Sequence, residues 1–164
     1  MAFPINGPEF MLSDNCPNTK AICEYVARHA SEMMRSMVRA PDGEEVQELV
    51  NPSPRGRQAR LGAILDDMVF RQGLSPDRII ILGGHNIART CIPTNGIVGR
   101  FKVVEGGATG RHTVRYHTYM KFKGCEADAV ILLDVDPNDA RWSDRAIYTT
   151  ASRAKHLLYV VRTA

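Results

Sequence analysis

Charge of one sign is scarce in this chain: 21 Lys+Arg stand against 18 Asp+Glu, a formal net charge of +3 over 164 residues. A protein held to nucleic acid by charge alone carries a larger excess, so that class is excluded. Long apolar runs are missing too. None approaches the roughly 20 residues that a membrane helix needs, and the opening MAFPINGPEF has neither the basic nor the apolar region of a secretion signal. The expected compartment is the cytoplasm, with no membrane partner. The four cysteines, Cys16, Cys23, Cys91 and Cys125, have no C-x-x-C spacing, which speaks against a zinc knuckle, a redox pair or a disulfide scaffold. The five histidines show no H-E-x-x-H pairing, so no metal site is expected, and neither Ser143 nor Ser152 lies in a G-x-S-x-G elbow. What is present, 44% hydrophobic and 24% charged residues, is enough for one ordinary core, and a single domain over residues 1–164 is expected.

The pattern along the chain alternates strands and helices. Glu9 to Asn15 reads as a short strand and turn, and Asn18 to about Met37 as a helix with Ile22, Val26, Ala30, Met33 and Met37 on one face. After a short strand at Val46 to Val50 and a loop at Asn51 to Arg57, a second helix is predicted from Gln58 to Gln72, ended by Gly73. Ile79 to Leu82 and Asp128 to Asp134 are continuous apolar runs, the signature of strands buried on both faces of a parallel sheet. Short strands are expected at 96–98, 101–104 and 112–118, with EGGATGR as a hairpin turn between the last two. Ser143 caps a helix predicted to carry Ile147, Ala151 and Ala154 on one face, and the last strand is His156 to Val161. Together these give an α/β class with a parallel or mostly parallel sheet.

Chemical signals are few. The nearest approach to the phosphate loop G-x-x-x-x-G-K-[ST] is Glu105 to His112, where only Gly110 fits, so the chain has no P-loop. AVILLDVD ends in Asp134 and Asp136, an arrangement that holds Mg²⁺ beside a P-loop; without one, these acids read as solvated residues at a strand end. Two segments remain. Lys123 to Glu126 (KGCE) follows a strand, and the expectation is that it lies at the carboxyl edge of the sheet, where ligands of open α/β folds sit. Gly124 there permits close backbone approach, and Glu126 could accept a ribose hydroxyl. The second segment, Tyr148 to Lys155, carries Arg153, whose fixed donors suit phosphate oxygens. The same arginine with Lys155 could instead complement the end of a helix.

Taken in order, LSDNCPNT (Leu12 to Thr19), TYMKFKGCEADAVILL (Thr118 to Leu133) and IYTTASRAKHLLYVV (Ile147 to Val161) resemble the fourth, fifth and sixth motifs of the second RecA-like motor domain of UvrD/Rep-type superfamily 1 helicases. The resemblance implies a RecA-like, Rossmann-type fold of the P-loop NTPase kind, its mostly parallel sheet flanked by helices and lacking a P-loop of its own. It implies that Lys123, Gly124, Glu126 and Asn15 face ATP, that Arg153 is the arginine finger, and that Thr118, Met120 and Thr19 lie along single-stranded DNA. Met120 stands where relatives have histidine. Cys16 stands where many have a stacking aromatic, and Pro17 where they have a second phosphate arginine, a charge that proline lacks.

The P-loop and the Mg²⁺ acids belong to the family's first motor domain, so the resemblance makes an N-terminal RecA-like domain the expected partner and ATP with Mg²⁺ the expected cofactors, held mainly there. The leading expectation is the C-terminal motor domain of an ATP-dependent DNA helicase, a fragment of a longer protein and inactive alone. The rival is a non-catalytic RecA-like module that binds nucleic acid or regulates, and Pro17 is its main support.

Overall fold

The computed structural model describes residues 19–29, 44–107 and 110–164. The strand expected at Glu9 to Asn15, and with it Asn15, Cys16 and Pro17, lies outside the described residues, as does the helix beyond His29.

Among the described residues seven strands form one sheet: β1 (Gln47–Val50), β2 (Ile79–Gly83), β3 (Ile97–Val98), β4 (Phe101–Glu105), β5 (Thr113–Thr118), β6 (Ala127–Val135) and β7 (Ala154–Arg162). Their order is β1-β7-β6-β2-β5-β4-β3, and every pairing is parallel except that of β3 with β4. The two unbroken apolar runs, β2 and β6, are adjacent at its centre. Both faces there are covered, which is why these strands do not alternate polar and apolar residues. Ile79, Ile81, Ala129, Ile131 and Leu133 point to one core, and Ile80, Leu82, Val130 and Leu132 to the other.

Among the described residues, three helices do the covering. On one face lies α2 (Pro54–Asp66), which runs on as a π-helical turn, Asp67–Arg71, and packs Leu61, Leu65 and Met68 against the sheet. On the other lie α1 (Lys20–Arg28) and α3 (Asp144–Ala151), with Ile22, Val26, Ile147 and Ala151 buried together.

Four local expectations are corrected. The second helix begins four residues before Gln58: Ser53 caps it, its Oγ accepting from the Gly56 N–H at 3.2 Å, and Pro54, which has no N–H to lose, occupies the first turn. EGGATGR is no hairpin, because β4 and β5 run parallel, Lys102 opposite Thr113 and Glu105 opposite Tyr116, so the chain must return to the start of β4 before β5 begins. The last helix stops at Ala151 and Ala154 already opens β7, which takes Arg153 and Lys155 off the helix. Finally, Asp134 is not a solvated residue. Its carboxylate accepts from Arg57 Nε and from the Cys91 N–H, both at 2.7 Å. Among the described cysteines, Cys91 and Cys125 are free thiols, whereas Cys23 is disulfide-bonded, a pairing that the spacing of the cysteines does not announce.

Candidate functional site

A parallel sheet has two unlike edges, and the candidate residues divide between them. β5 ends at Thr118 on the carboxyl edge, where the Tyr119 N–H donates to Gly83 O at the end of β2, 3.0 Å away. From there the chain crosses one face of the sheet as a series of turns, residues 119–126, and enters β6 at the opposite, amino edge. Phe122 anchors this crossover on the core, stacked on His117 at 6.2 Å. Gly124, at φ +82, makes the turn into β6 in a conformation that suits glycine. The Lys123 to Glu126 tetrad therefore leads to the amino edge, not to the carboxyl edge that the rule for open α/β folds suggested. A crossover between parallel strands must traverse the whole sheet, and this one does so within eight residues.

Arg153 arrives at that same amino edge by a different route. α3 starts at the carboxyl edge, spans the sheet and ends at Ala151, so that Arg153 falls just before β7. Its carbonyl accepts the Ala127 N–H at 3.0 Å, placing the Arg153 backbone beside that of Glu126. The Arg153 Nε is buried and has no hydrogen-bond partner among the described residues. The guanidinium lies near Tyr148: burial pushes the Tyr148 hydroxyl above its ordinary range, and the Arg153 charge opposes that shift. Glu126 and Lys155 form an ion pair of 3.6 Å. Both line a cavity of about 170 Å³ with Arg78, Arg115, Phe122 and Asp128. Within it Asp128 is bonded to Arg78 and lies 3.7 Å from His156. The amino edge thus takes in the turn from Gly124 to Glu126, the backbone of Arg153 and the cations Arg78, Arg115 and Lys155. Arg78 and Arg115 had no motif to mark them. Their convergence depends on β2, β5 and β6 being neighbours.

The other candidates lie elsewhere. Thr118 is at the carboxyl edge, half-buried, and Met120 is 68% exposed just beyond it. Lys123 lines a groove with Met120 rather than the cavity with Glu126. Thr19 is only 6% exposed, at the end of α1 opposite His29, and His29 meets Asp144 at the start of α3. Its Oγ is buried without a described hydrogen-bond partner and leaves the exposed amides of α1 uncapped. Asn15 lies outside the described residues.

The fold defines the class: an α/β RecA-like domain with a mostly parallel sheet. In sequence, residues 114–161 match the UvrD-like helicase C-terminal domain, a stretch that takes in β5, the crossover, β6, α3 and nearly all of β7. The chain thus resembles that domain where the fifth and sixth motifs lie. In structure it is similar to the C-terminal domain of a possible DNA helicase from Lactobacillus plantarum WCFS1, with a TM-score of 0.66 at 16% identity, covering 88% of this chain and 85% of that one. At that identity the likeness is one of fold. No curated protein matches the chain. Among the described residues no helix is long and apolar enough to cross a membrane.

Proposed function

We propose that this chain is the C-terminal motor domain of an ATP-dependent DNA helicase of the cytoplasm, one that completes an ATP site held chiefly by a partner N-terminal RecA-like domain. The observation that carries the reading is that two separate motifs, the turn from Gly124 to Glu126 and the segment of Arg153, reach the same amino edge of the sheet, where Arg153 O accepts the Ala127 N–H at 3.0 Å, with Thr118 and Met120 at the other edge. Nucleotide and strand would then engage opposite edges of one sheet, so that closure of this domain on the nucleotide would move the edge that holds the strand.

The residues fit a nucleotide on chemical grounds. The buried Arg153 Nε–H, without a partner among the described residues, could donate to an anionic oxygen, and a buried donor left unpaired costs about 1–3 kcal/mol. A phosphate oxygen supplied across a domain interface would relieve that cost. Glu126 can accept a ribose hydroxyl from its place beside Lys155, and the left-handed turn at Gly124 keeps side-chain bulk away. ATP with Mg²⁺ would bring the transferable phosphoryl group. Arg153 would place fixed positive charge where negative charge spreads as that group leaves.

The test is Arg153→Ala in a protein that joins this domain to its N-terminal partner and hydrolyses ATP when unmutated. Turnover should fall by about 10³–10⁵, the range for an arginine finger, with the fold and most ATP binding kept. Arg153→Lys should fail as well, because an ammonium lacks the planar fork. Near-normal turnover in Arg153→Ala would leave the residue a structural one and overturn the assignment.

A further inference from the structure

On the α2 face of the sheet, the turns that lead into β2 and β5 flank a cavity of about 620 Å³, larger than the one beside Glu126. One wall is the end of the π-helical turn with Val69 and Phe70, another is residues 75–77 before β2, and the third is residues 110–112 before β5. Among the described residues the two cavities share Asp77 alone. Three strand spacings, roughly 14 Å, separate β5 from β7, at whose start Arg153 lies.

Phe70 is the unusual member of this wall, a large aromatic side chain left 47% exposed. Its ring is nevertheless held in place. The rings of Phe101 and His112 lie 5.8 and 6.1 Å from it, and the Arg100 guanidinium sits over it at 4.6 Å while reaching Asp66 at 3.4 Å. The backbone beneath is a π-helical turn, with the Gln72 N–H donating to Asp67 O at 2.9 Å, a rare geometry found mostly at functional sites. An exposed ring already fixed on several sides loses little freedom when something packs on it.

The charges of the cavity narrow what that could be. Arg111 is exposed and meets no carboxylate among the described residues, so its fork of donors is open to one. A nucleic-acid strand needs a row of cations, whereas this single free cation shares the cavity with Asp77 and with the carboxyl end of a helix, where phosphates are disfavoured. A small metabolite is held where most of its surface is buried, and the half-exposed Phe70 leaves this cavity open. Strand addition is excluded as well, because the walls are turns and a helix end. What remains is a side-chain anchor: an aromatic ring with an acid beside it, carried on a larger body.

We propose that this cavity docks a partner protein, which packs an aromatic side chain against Phe70 and His112 and sets a neighbouring carboxylate on Arg111. The inference goes beyond the helicase-domain reading and uses none of the residues placed there.

The experiment titrates the ¹⁵N-labelled full chain with the capped peptide Gly-Glu-Trp-Glu-Gly and follows backbone amide shifts. The shifts should concentrate in residues 69–77 and 110–112. Two control peptides, Gly-Lys-Trp-Lys-Gly and Gly-Glu-Ala-Glu-Gly, should bind at least about tenfold more weakly, as should the original peptide to Phe70→Ala and to Arg111→Glu. Arg145→Glu makes the same charge change at an exposed position of α3, on the other face of the sheet, and should bind as wild type does. Arg111→Glu alters an exposed position, so it keeps the test decisive even where Phe70→Ala disturbs the packing of Phe101. No shift in these residues at millimolar peptide, equal binding of either control peptide, or undiminished binding by Arg111→Glu would each overturn the proposal. So would the same shifts produced by oligothymidylate, which would make the cavity a nucleic-acid site, or by concentrating the chain alone, which would make it a contact between copies. No nucleotide enters this assay, so its failure leaves the Arg153 test standing.

Discussion

Arg57 is 8% exposed in a helix whose other inward residues are Leu61, Ile64 and Leu65. A charge is tolerated there because its donors are taken up: Nε by Asp134, and one terminal nitrogen by the carbonyls of Asn51 and Pro52 at 2.9 and 2.8 Å. Asp134 in turn sits at φ +55, where β6 shifts register and the parity of its inward residues changes, so that Val135 joins the core of the α1–α3 face. Aspartate is one of the few residues that adopt this conformation at modest cost. The carboxylate also lies by the Cys91 thiol, whose pKa is pushed up to about 12, by burial first and then by the Asp134 charge. Arg57→Met should therefore destabilise the domain by about 3–5 kcal/mol, because it leaves a carboxylate without its partner in a site largely shut off from water. Asp134→Asn, which keeps an acceptor and tolerates the left-handed backbone, should cost less. Urea unfolding of the two variants checks the order, and an Arg57→Met midpoint equal to wild type would show the pair to be dispensable.

Among the elements, the carboxyl-edge loops are joined by side chains rather than by strand pairing. His85, after β2, bonds to Asp139, after β6, at 2.6 Å, and Arg141 donates to Gly84 O at 2.7 Å. Gly83 has no room for more: an added Cβ would stand 2.0 Å from the Tyr116 hydroxyl, which donates to His85 O. The Arg141 N–H, and after it the His85 side chain, hold the Asp139 carboxyl below its usual range. A carboxylate whose folded pKa is depressed stabilises the fold above its unfolded value, and the contribution disappears as pH falls through the folded value. Thermal midpoints measured from neutral pH down through about 4 should therefore fall less steeply in Asp139→Asn than in wild type. Parallel curves for the two proteins would remove this carboxylate from the acid limb.

At the scale of the whole molecule, the sequence carries no phosphate loop, and the sites proposed for nucleotide and strand lie at opposite edges of the sheet. The isolated chain should show no ATP turnover with or without single-stranded DNA; steady turnover by the purified chain, shown to be free of other ATPases, would defeat the reading of it as one half of a motor.

Local chemistry was sufficient to mark much of this molecule. The apolar runs of β2 and β6 declared a sheet covered on both faces, because only burial on both sides rewards four consecutive aliphatic residues. Ser143 announced α3, and its Oγ accepts from the Ala146 N–H at 3.3 Å. Arg153, Gly124 and Glu126 stood out by their neighbours in sequence. What local pattern could not supply was adjacency. Arg57 and Asp134 are 77 residues apart and looked like the last residue of a loop and a solvated acid; they are a buried pair because β6 and the start of α2 meet. EGGATGR looked like a hairpin because a glycine-rich turn does not encode whether the next strand pairs parallel or antiparallel. The tetrad at Lys123 lay at the wrong edge on paper because direction of travel across a sheet is a property of the crossover, not of the four residues. Arg111 carried no signal of its own, since an exposed arginine in a turn is ordinary until the fold sets Phe70 in the same cavity.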